Sequence, residues 1–334
     1  MSIVDVRALV TAGASSEQLA AAQAAITDAV SVLRRGALVA VPTETVYGLA
    51  ARALDARALA AVFEAKGRPT THPLIAHVLD LDAALRVASD IGAARALAAA
   101  FWPGPLTFIL PRRSDVPDSL SGGLPTVAVR APAHPVARAL IAALGEPIAA
   151  PSANRYQHVS PTEAQHVARS LGDKVSLILD GGPCARGIES TVVDLVGPPR
   201  ILRLGPITLG ALRQVMPEVA MVDERVVDEG TQRASPGLDA RHYAPSVPAH
   251  LVDLSFQGFS SGDALVAHGD ASALVARGVR VVQLPREPGA YANGLYAALH
   301  TLESEGVARI FVERVPDGEA WDAVRDRLSR ATTA

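Results

Sequence analysis

The chain has 334 residues and a formal net charge of −3; hydrophobic residues make up 49% of it and charged residues 19%. That proportion predicts two globular domains and excludes a disordered chain, and the slight acidity excludes a protein that grips nucleic acid by bulk charge. A single cysteine, Cys184, excludes an internal disulfide framework and a multi-cysteine zinc site.

The N-terminal MSIVDVRALV breaks its apolar stretch with an acid and an arginine. It reads as no signal peptide, so the cytoplasm is the expected compartment. Ser15-Ser16-Glu17 opens an Ala/Leu/Val pattern that ends at Arg34-Arg35-Gly36. That is an N-cap, helical spacing, a basic last turn and a closing glycine, which together predict a helix. Apolar runs predict strands at Ala37–Pro42, Thr107–Leu110, Val127–Arg130, Ile148–Ala150, Leu177–Leu179, Thr191–Leu195 and Ile201–Leu204. Helical spacing occupies Ala56–Ala65, Ala83–Ala100, Pro135–Leu144, Thr162–Leu171 and Leu209–Val215. The alternation predicts an α/β layer fold, and the short links between some strands make its sheet mixed. The longest apolar stretch, Leu97 to Leu110, contains Pro-Gly-Pro and is too short and broken to span a membrane.

After Met216 the pattern lapses into charge, glycine and proline around SPGLDARHYAP, then restarts. Strands are predicted at Ala249–Leu254, Ala264–Ala267, Val279–Leu284 and Arg309–Glu313, with helices across Tyr291–Ser304 and Gly318–Ala331. The expected organisation is therefore an α/β domain over 1–217, a linker over 218–248 and a smaller Rossmann-like α/β domain over 249–334.

Walker, dinucleotide, zinc-protease and nucleophile-elbow motifs are all missing, and no carboxylate cage stands out. What remains is polar residues at strand ends. Thr43, Glu44, Thr45 and Tyr47 crowd the turn after the first apolar strand, where a plain capping turn is the simpler reading. Ser152 and Asn154 follow another strand, and Arg130 and Arg203 sit inside apolar runs. Each of those arginines needs an acidic partner or an anionic ligand if buried. His77 in an apolar strand reads first as a satisfied structural residue. Of 31 Lys and Arg side chains only Lys66 and Lys174 are lysine. A lysine kept in an arginine-rich chain points to a compact point charge, so Lys66 reads as an anion contact with Arg68 as its planar neighbour. Lys174 lies in a polar turn and reads as surface. These elements suit anionic ligands and chemistry driven by positioning and charge, such as attack at a nucleotide phosphate.

VPTETVYGLA, KGRP with PLIAHV, FWPGPLTFIL, TVAVRAPAHP, PIAAPSANR, SPTEA, LILDGG and GIESTVVDL occur in that order. The ordered set resembles the YrdC-like threonylcarbamoyl-adenylate synthase family, and SPGLDARHYAP resembles the linker of its long two-domain form. The resemblance implies a twisted mixed parallel/antiparallel sheet with helices. It implies condensation of L-threonine, bicarbonate and ATP to threonylcarbamoyl-AMP and pyrophosphate, for the tRNA adenosine beside the anticodon. It assigns Lys66, Arg68, Ser152, Asn154, Arg203 and Tyr243 to ATP, with Lys66 and Arg68 catalytic. It assigns Thr43, Thr45, Tyr47, His77, Arg130 and Ser190 to L-threonine. Mg²⁺ is expected with ATP, its ligands unassigned, and the linker is expected to fold over the pocket mouth. Downstream tRNA threonylcarbamoyl-transferase proteins are the implied partners, a weak RNA contact is allowed, and no membrane is involved. The chain departs from the family at Arg203-Leu204-Gly205, where Pro is usual, at Leu238 in the linker, where Met is usual, and at Asp326-Arg327-Leu328, where Asn-Arg-Leu is usual. Two rival readings are a non-catalytic RNA-binding module and a carbamoyltransferase that uses carbamoyl phosphate.

Overall fold

The structure is a computed structural model that describes residues 1–221 and 242–332. Leu238 and most of the expected linker lie outside the described residues.

In chain order the first part contains β1 (Ser2–Asp5), α1 (Ser16–Arg34), β2 (Val39–Val41), β3 (Gly48–Arg52), α2 (Ala56–Lys66), β4 (Ile75–His77), α3 (Arg95–Phe101), β5 (Leu106–Pro111) and α4 (Asp118–Ser121). It continues through β6 (Thr126–Arg130), α5 (Pro135–Leu144), β7 (Ile148–Ala149), α6 (Ala164–Leu171), β8 (Leu177–Asp180), β9 (Thr191–Asp194), β10 (Arg200–Arg203), α7 (Leu209–Arg213) and β11 (Ala220–Met221). The second part contains β12 (Ala249–Val252), β13 (Asp263–Ala267), α8 (Ser272–Ala276), β14 (Arg280–Gln283), α9 (Pro288–Ser304), β15 (Arg309–Glu313) and α10 (Glu319–Ala331).

Local chemistry explains the main boundaries. The Ser15 hydroxyl accepts from Gln18 N at 3.2 Å while the Gln18 side chain accepts from Ser15 N at 2.8 Å, so a reciprocal capping box starts α1. The Asp55 carboxylate caps α2 by accepting from Arg57 N and Ala58 N, and Gly67 in the left-handed region ends it. The continuous helix predicted over Ala83–Ala100 is corrected. The chain instead forms short 3₁₀ turns at Asp82–Arg86 and Gly92–Ala94, and only Arg95–Phe101 is α-helical. The Asp90 carboxylate accepts from Gly92 N at 2.7 Å, and Ala88 bridges to Arg112, so side-chain and sheet bonds displace helical ones there.

Among the described residues eleven strands form one mixed sheet in the order β1-β8-β2-β3-β7-β4-β6-β5-β9-β10-β11. The expected mixed sheet is present. The α1 and α5 helices bury Ile26, Leu33, Leu140 and Ile141 in one apolar layer. A separate, larger layer buries Leu59 and Phe63 of α2, Leu97 of α3 and Val167 of α6. The second sheet is all parallel, in the order β12-β15-β13-β14. Its core against α9 and α10 includes Tyr291, Leu295, Tyr296 and Val324, and the same cluster takes in Val46, Val159 and Ile188 from loops of the first sheet. His166 of α6 stacks on His300 of α9 with ring centroids 4.0 Å apart. The two sheets thus meet through a packed contact.

Candidate active site

Polar side chains collect where strands of the large sheet begin or end. His77 ends β4 and Arg130 ends β6, and the two are register partners in parallel strands. Thr43, Glu44 and Thr45 follow β2, Ser152 and Asn154 follow β7, Ser190 precedes β9, and Arg203 ends β10.

The first group is a hydrogen-bonded relay. Arg130 Nη1 donates to Thr45 Oγ1 at 2.9 Å, the Thr45 and Thr43 hydroxyls are 2.8 Å apart, and Thr43 Oγ1 donates to the Val46 carbonyl at 2.6 Å. Arg130 Nη2 also donates to Glu44 Oε1 at 2.6 Å, and Glu44 Oε2 accepts from Ala133 N at 3.0 Å. Both partners are buried. Burial pushes the Glu44 carboxyl up, but the Arg130 charge and hydrogen bonds outweigh it and hold the group below the usual carboxylate range. Glu44 is therefore the acidic partner that a buried Arg130 requires. His77 Nδ1 lies 3.1 Å from the Ile75 carbonyl. Burial and then the Arg130 charge push its pKa down to about 3, so the imidazole is neutral.

The second group surrounds α2. Lys66 is buried, and its Nζ donates to the carbonyls of Ser152 and Asn154, each at 2.5 Å. Burial, and secondly the Arg68 charge, set its pKa well below the ordinary lysine value. Arg68 Nη2 donates to the Pro73 carbonyl at 3.0 Å, and its guanidinium lies 5.9 Å from the Tyr156 ring centroid. The Asn154 amide nitrogen donates to the carbonyls of Arg155 and His158, while its Oδ1 is buried with no hydrogen-bond partner. An orphaned buried acceptor of this kind calls for a donor from a ligand or a water. Lys174 is exposed on the surface, as expected, yet its Nζ reaches the Ala65 carbonyl at 3.3 Å, so both lysines bear on the end of α2.

The third group joins β5, β9 and β10. Ser190 Oγ lies 2.7 Å from Thr107 Oγ1 and accepts from Arg203 Nη2 at 3.0 Å, and Arg203 Nε donates to the Ser190 carbonyl at 3.0 Å. The neighbouring Glu189 carboxylate accepts from the Ser160 hydroxyl at 2.7 Å, the Tyr296 hydroxyl at 3.2 Å and Arg327 Nε at 2.7 Å. Tyr243 has φ of 61°, stands at the end of the linker, and keeps its hydroxyl buried without a partner. Burial pushes the Arg203 pKa down, and the charges of Arg327 and Arg130 add to that while Tyr243 and Glu189 oppose it.

The structure thus brings the sequence-assigned residues into these adjoining groups, with one difference of aim. The Tyr47 hydroxyl donates to the Gly182 carbonyl at 2.8 Å and does not join the Thr43–Thr45 pair. Sequence reasoning did not single out Thr107, Glu189 or Arg327. Glu189 stands inside GIESTVVDL and Thr107 inside FWPGPLTFIL, whereas Arg327 joins the site only through long-range pairing. Cys184 is buried and burial pushes its thiol up, so it offers no thiolate nucleophile. No group of three metal-ligating side chains occurs among the described residues. No helix among them is long and apolar enough to cross a membrane.

The fold and these groups define a mixed-sheet α/β protein with buried guanidiniums, hydroxyls and an amide at its strand ends. Residues 31–205 match the family model described as "Telomere recombination" (Sua5/YciO/YrdC), and residues 207–333 match "Threonylcarbamoyl-AMP synthase, C-terminal domain". The chain belongs to this family, in its two-domain threonylcarbamoyl-AMP synthase form. It is 39% identical over 323 residues to the threonylcarbamoyl-AMP synthase of Pyrococcus abyssi, covering 91% of this chain and 93% of the relative. The Bacillus subtilis threonylcarbamoyl-AMP synthase is 38% identical over 333 residues, with 95% of each chain covered. A crystal structure of Pyrococcus abyssi Sua5 complexed with L-threonine superposes with a TM-score of 0.84 at 35% identity, over 99% of this chain and 98% of that one.

Proposed function

We infer that this chain is an L-threonylcarbamoyladenylate synthase that joins L-threonine, bicarbonate and ATP and releases pyrophosphate. Near-full-length similarity to threonylcarbamoyl-AMP synthases, one of which was crystallised with L-threonine, supports the reading. The geometric observation that carries it is the set of buried cations, Lys66, Arg130 and Arg203, among hydroxyls and the orphaned Asn154 acceptor. No Ser–His or Cys–His pair competes with it as a covalent device among the described hydrogen bonds at these groups.

The chemistry follows from charge. The threonine amine attacks bicarbonate carbon, water leaves, and the product is a carbamate anion. A carbamate oxygen then attacks the α-phosphorus of ATP, and the bond from that phosphorus to the bridging oxygen of pyrophosphate breaks. Both reactants are negative, so buried cations that need no reorganisation lower the barrier. In this reading Thr43, Thr45, Tyr47, His77, Arg130 and Ser190 receive threonine. Lys66, Arg68, Ser152, Asn154, Arg203 and Tyr243 receive ATP. Glu44 and Glu189 are already ion-paired with arginine, which fits a Mg²⁺ that arrives on the triphosphate and keeps its waters. The product feeds the proteins that modify tRNA.

The test is pyrophosphate release from ATP and bicarbonate with L-threonine, without it, and with L-serine. Release that depends on L-threonine is the expected result. Release that ignores threonine refutes the synthase, and carbamoyl phosphate replacing bicarbonate would favour carbamoyl transfer.

A further inference from the structure

We propose that Arg327, on the C-terminal helix α10, is a positioning residue for the threonine subsite and acts through Glu189 and Leu204. The proposal rests on the functional reading above, because it assigns a role to a residue remote from the substrates in sequence and in sheet.

Arg327 is fully buried, with 0% of its surface exposed. Its Nε donates to Glu189 Oε2 at 2.7 Å, its Nη2 donates to the Leu204 carbonyl at 2.8 Å, and its Nη1 donates to the adjacent Asp326. Glu189 is the residue before Ser190, and Leu204 is the residue after Arg203. One guanidinium therefore grips the immediate neighbours of the two residues that hydrogen-bond each other across the site, Ser190 and Arg203. The two segments also touch directly. A Cβ at Gly205 would lie 2.3 Å from Thr191 N and 2.7 Å from the Glu189 carbonyl, so only glycine allows the approach. The opposite face of the guanidinium contact is aromatic: Arg327 Cζ sits 4.9 Å from the Tyr243 ring centroid. Arg327 is thus the point where the second sheet's last helix, the end of the linker and the Ser190–Arg203 pair meet.

Simple domain docking would not need this arrangement. A planar donor fork has a fixed geometry, so holding a carboxylate on one chain segment and a carbonyl on another sets the spacing between them. That spacing decides where Ser190 Oγ points. Losing it moves a substrate-binding hydroxyl while leaving the strands paired.

The experiment compares Arg327→Lys, Arg327→Met, Glu189→Gln and the Glu189→Gln/Arg327→Met double variant of the full chain. Threonine KM, ATP KM and kcat are read by pyrophosphate release, and L-threonine affinity is read by calorimetric titration. Arg327→Met is expected to raise the threonine KM and dissociation constant about tenfold or more and the ATP KM by clearly less, because Ser190 is tied to Arg327 through the charged Glu189 contact and Arg203 through one backbone carbonyl. Arg327→Lys should recover part of that loss. The double variant should lose less than the product of the two single losses, because both act on one contact. If Arg327→Met does not fold, Arg327→Lys and the charge-balanced double variant carry the test. Equal rises in both KM values, or a reduced active fraction with unchanged threonine affinity, would overturn the proposal and leave Arg327 a docking residue. Failure of the functional reading looks different: the wild-type chain itself would show no threonine-dependent release and no threonine binding.

Discussion

The two sheets treat their strand ends in opposite ways. In the large sheet the ends of β4, β6 and β10 carry His77, Arg130 and Arg203 towards shared polar groups, and Asn154 keeps an acceptor unspent. In the small parallel sheet the carboxyl ends of β13 and β15 are where an open α/β sheet would receive a ligand. There the Glu313 carboxylate accepts from His268 N at 2.7 Å and Gly269 N at 2.8 Å. The protein's own carboxylate occupies the amides that a phosphate would use. Similar layer architecture therefore supports chemistry in one half and closure in the other, and the side chains at the strand ends make the difference.

The comparison breaks most sharply at Lys66. Arg in its place keeps the charge but cannot bring one compact nitrogen between two carbonyls 2.5 Å away. Lys66→Arg should lower kcat/KM for pyrophosphate release, measured per folded enzyme, by about 100-fold or more, a loss larger than any accompanying drop in thermal midpoint explains. Wild-type turnover would remove Lys66 from the site. Next, Glu313→Ala should cost about 1 kcal/mol in urea unfolding by removing the shared acceptor of two half-buried amides, while threonine-dependent turnover of the folded enzyme stays the same. A turnover loss greater than the unfolded fraction explains would make the small sheet a second ligand site. The effect that is smallest at neutral pH is that of His77, which develops only as the pH falls. His77 is held at about 3 when folded and titrates near its ordinary value when unfolded. Below a pH of about 6.5 the unfolded chain takes up a proton that the folded chain refuses, so stability falls as pH drops towards about 3. His77→Gln should flatten that limb by up to about 1.4 kcal/mol per pH unit, read from urea midpoints across the range. An unchanged limb would mean that His77 is protonated in the folded chain.

Where the fold was legible, burial and pattern agreed. Runs such as Val127–Arg130 and Thr191–Leu195 are apolar because both faces of their strands are covered, and they closely match β6 and β9. The β3 strand escaped because GLAAR is mostly glycine and alanine, with no β-branched signal; its pairing with β2 and β7 decides it. The β1 strand is half exposed and is held by register with β8, whose apolar run was readable. The Ala83–Ala100 segment misled in the other direction, since alanine and leucine spacing looks helical whether or not an Asp90 turn interrupts it. At the candidate site, lysine scarcity alone singled out Lys66, which the structure buries against the carbonyls of Ser152 and Asn154. Arg130 declared only that it needed a partner, and distance in sequence hid that Glu44 is that partner. Arg327 was legible only as part of a variant Asp-Arg-Leu triplet, because its partners lie more than 120 residues away in sequence.

Val46, Val159 and Ile188 belong to the apolar cluster of the second sheet although they sit in loops that frame the substrate groups. They share that cluster with residues of α9 and α10, so the catalytic half borrows part of its interior from its neighbour. Any chain built on the large sheet alone must rewrite those positions with polar side chains or recruit another subunit to cover them. For an engineer, the second half is the mould in which the first half's loops are cast, and swapping it means redesigning them.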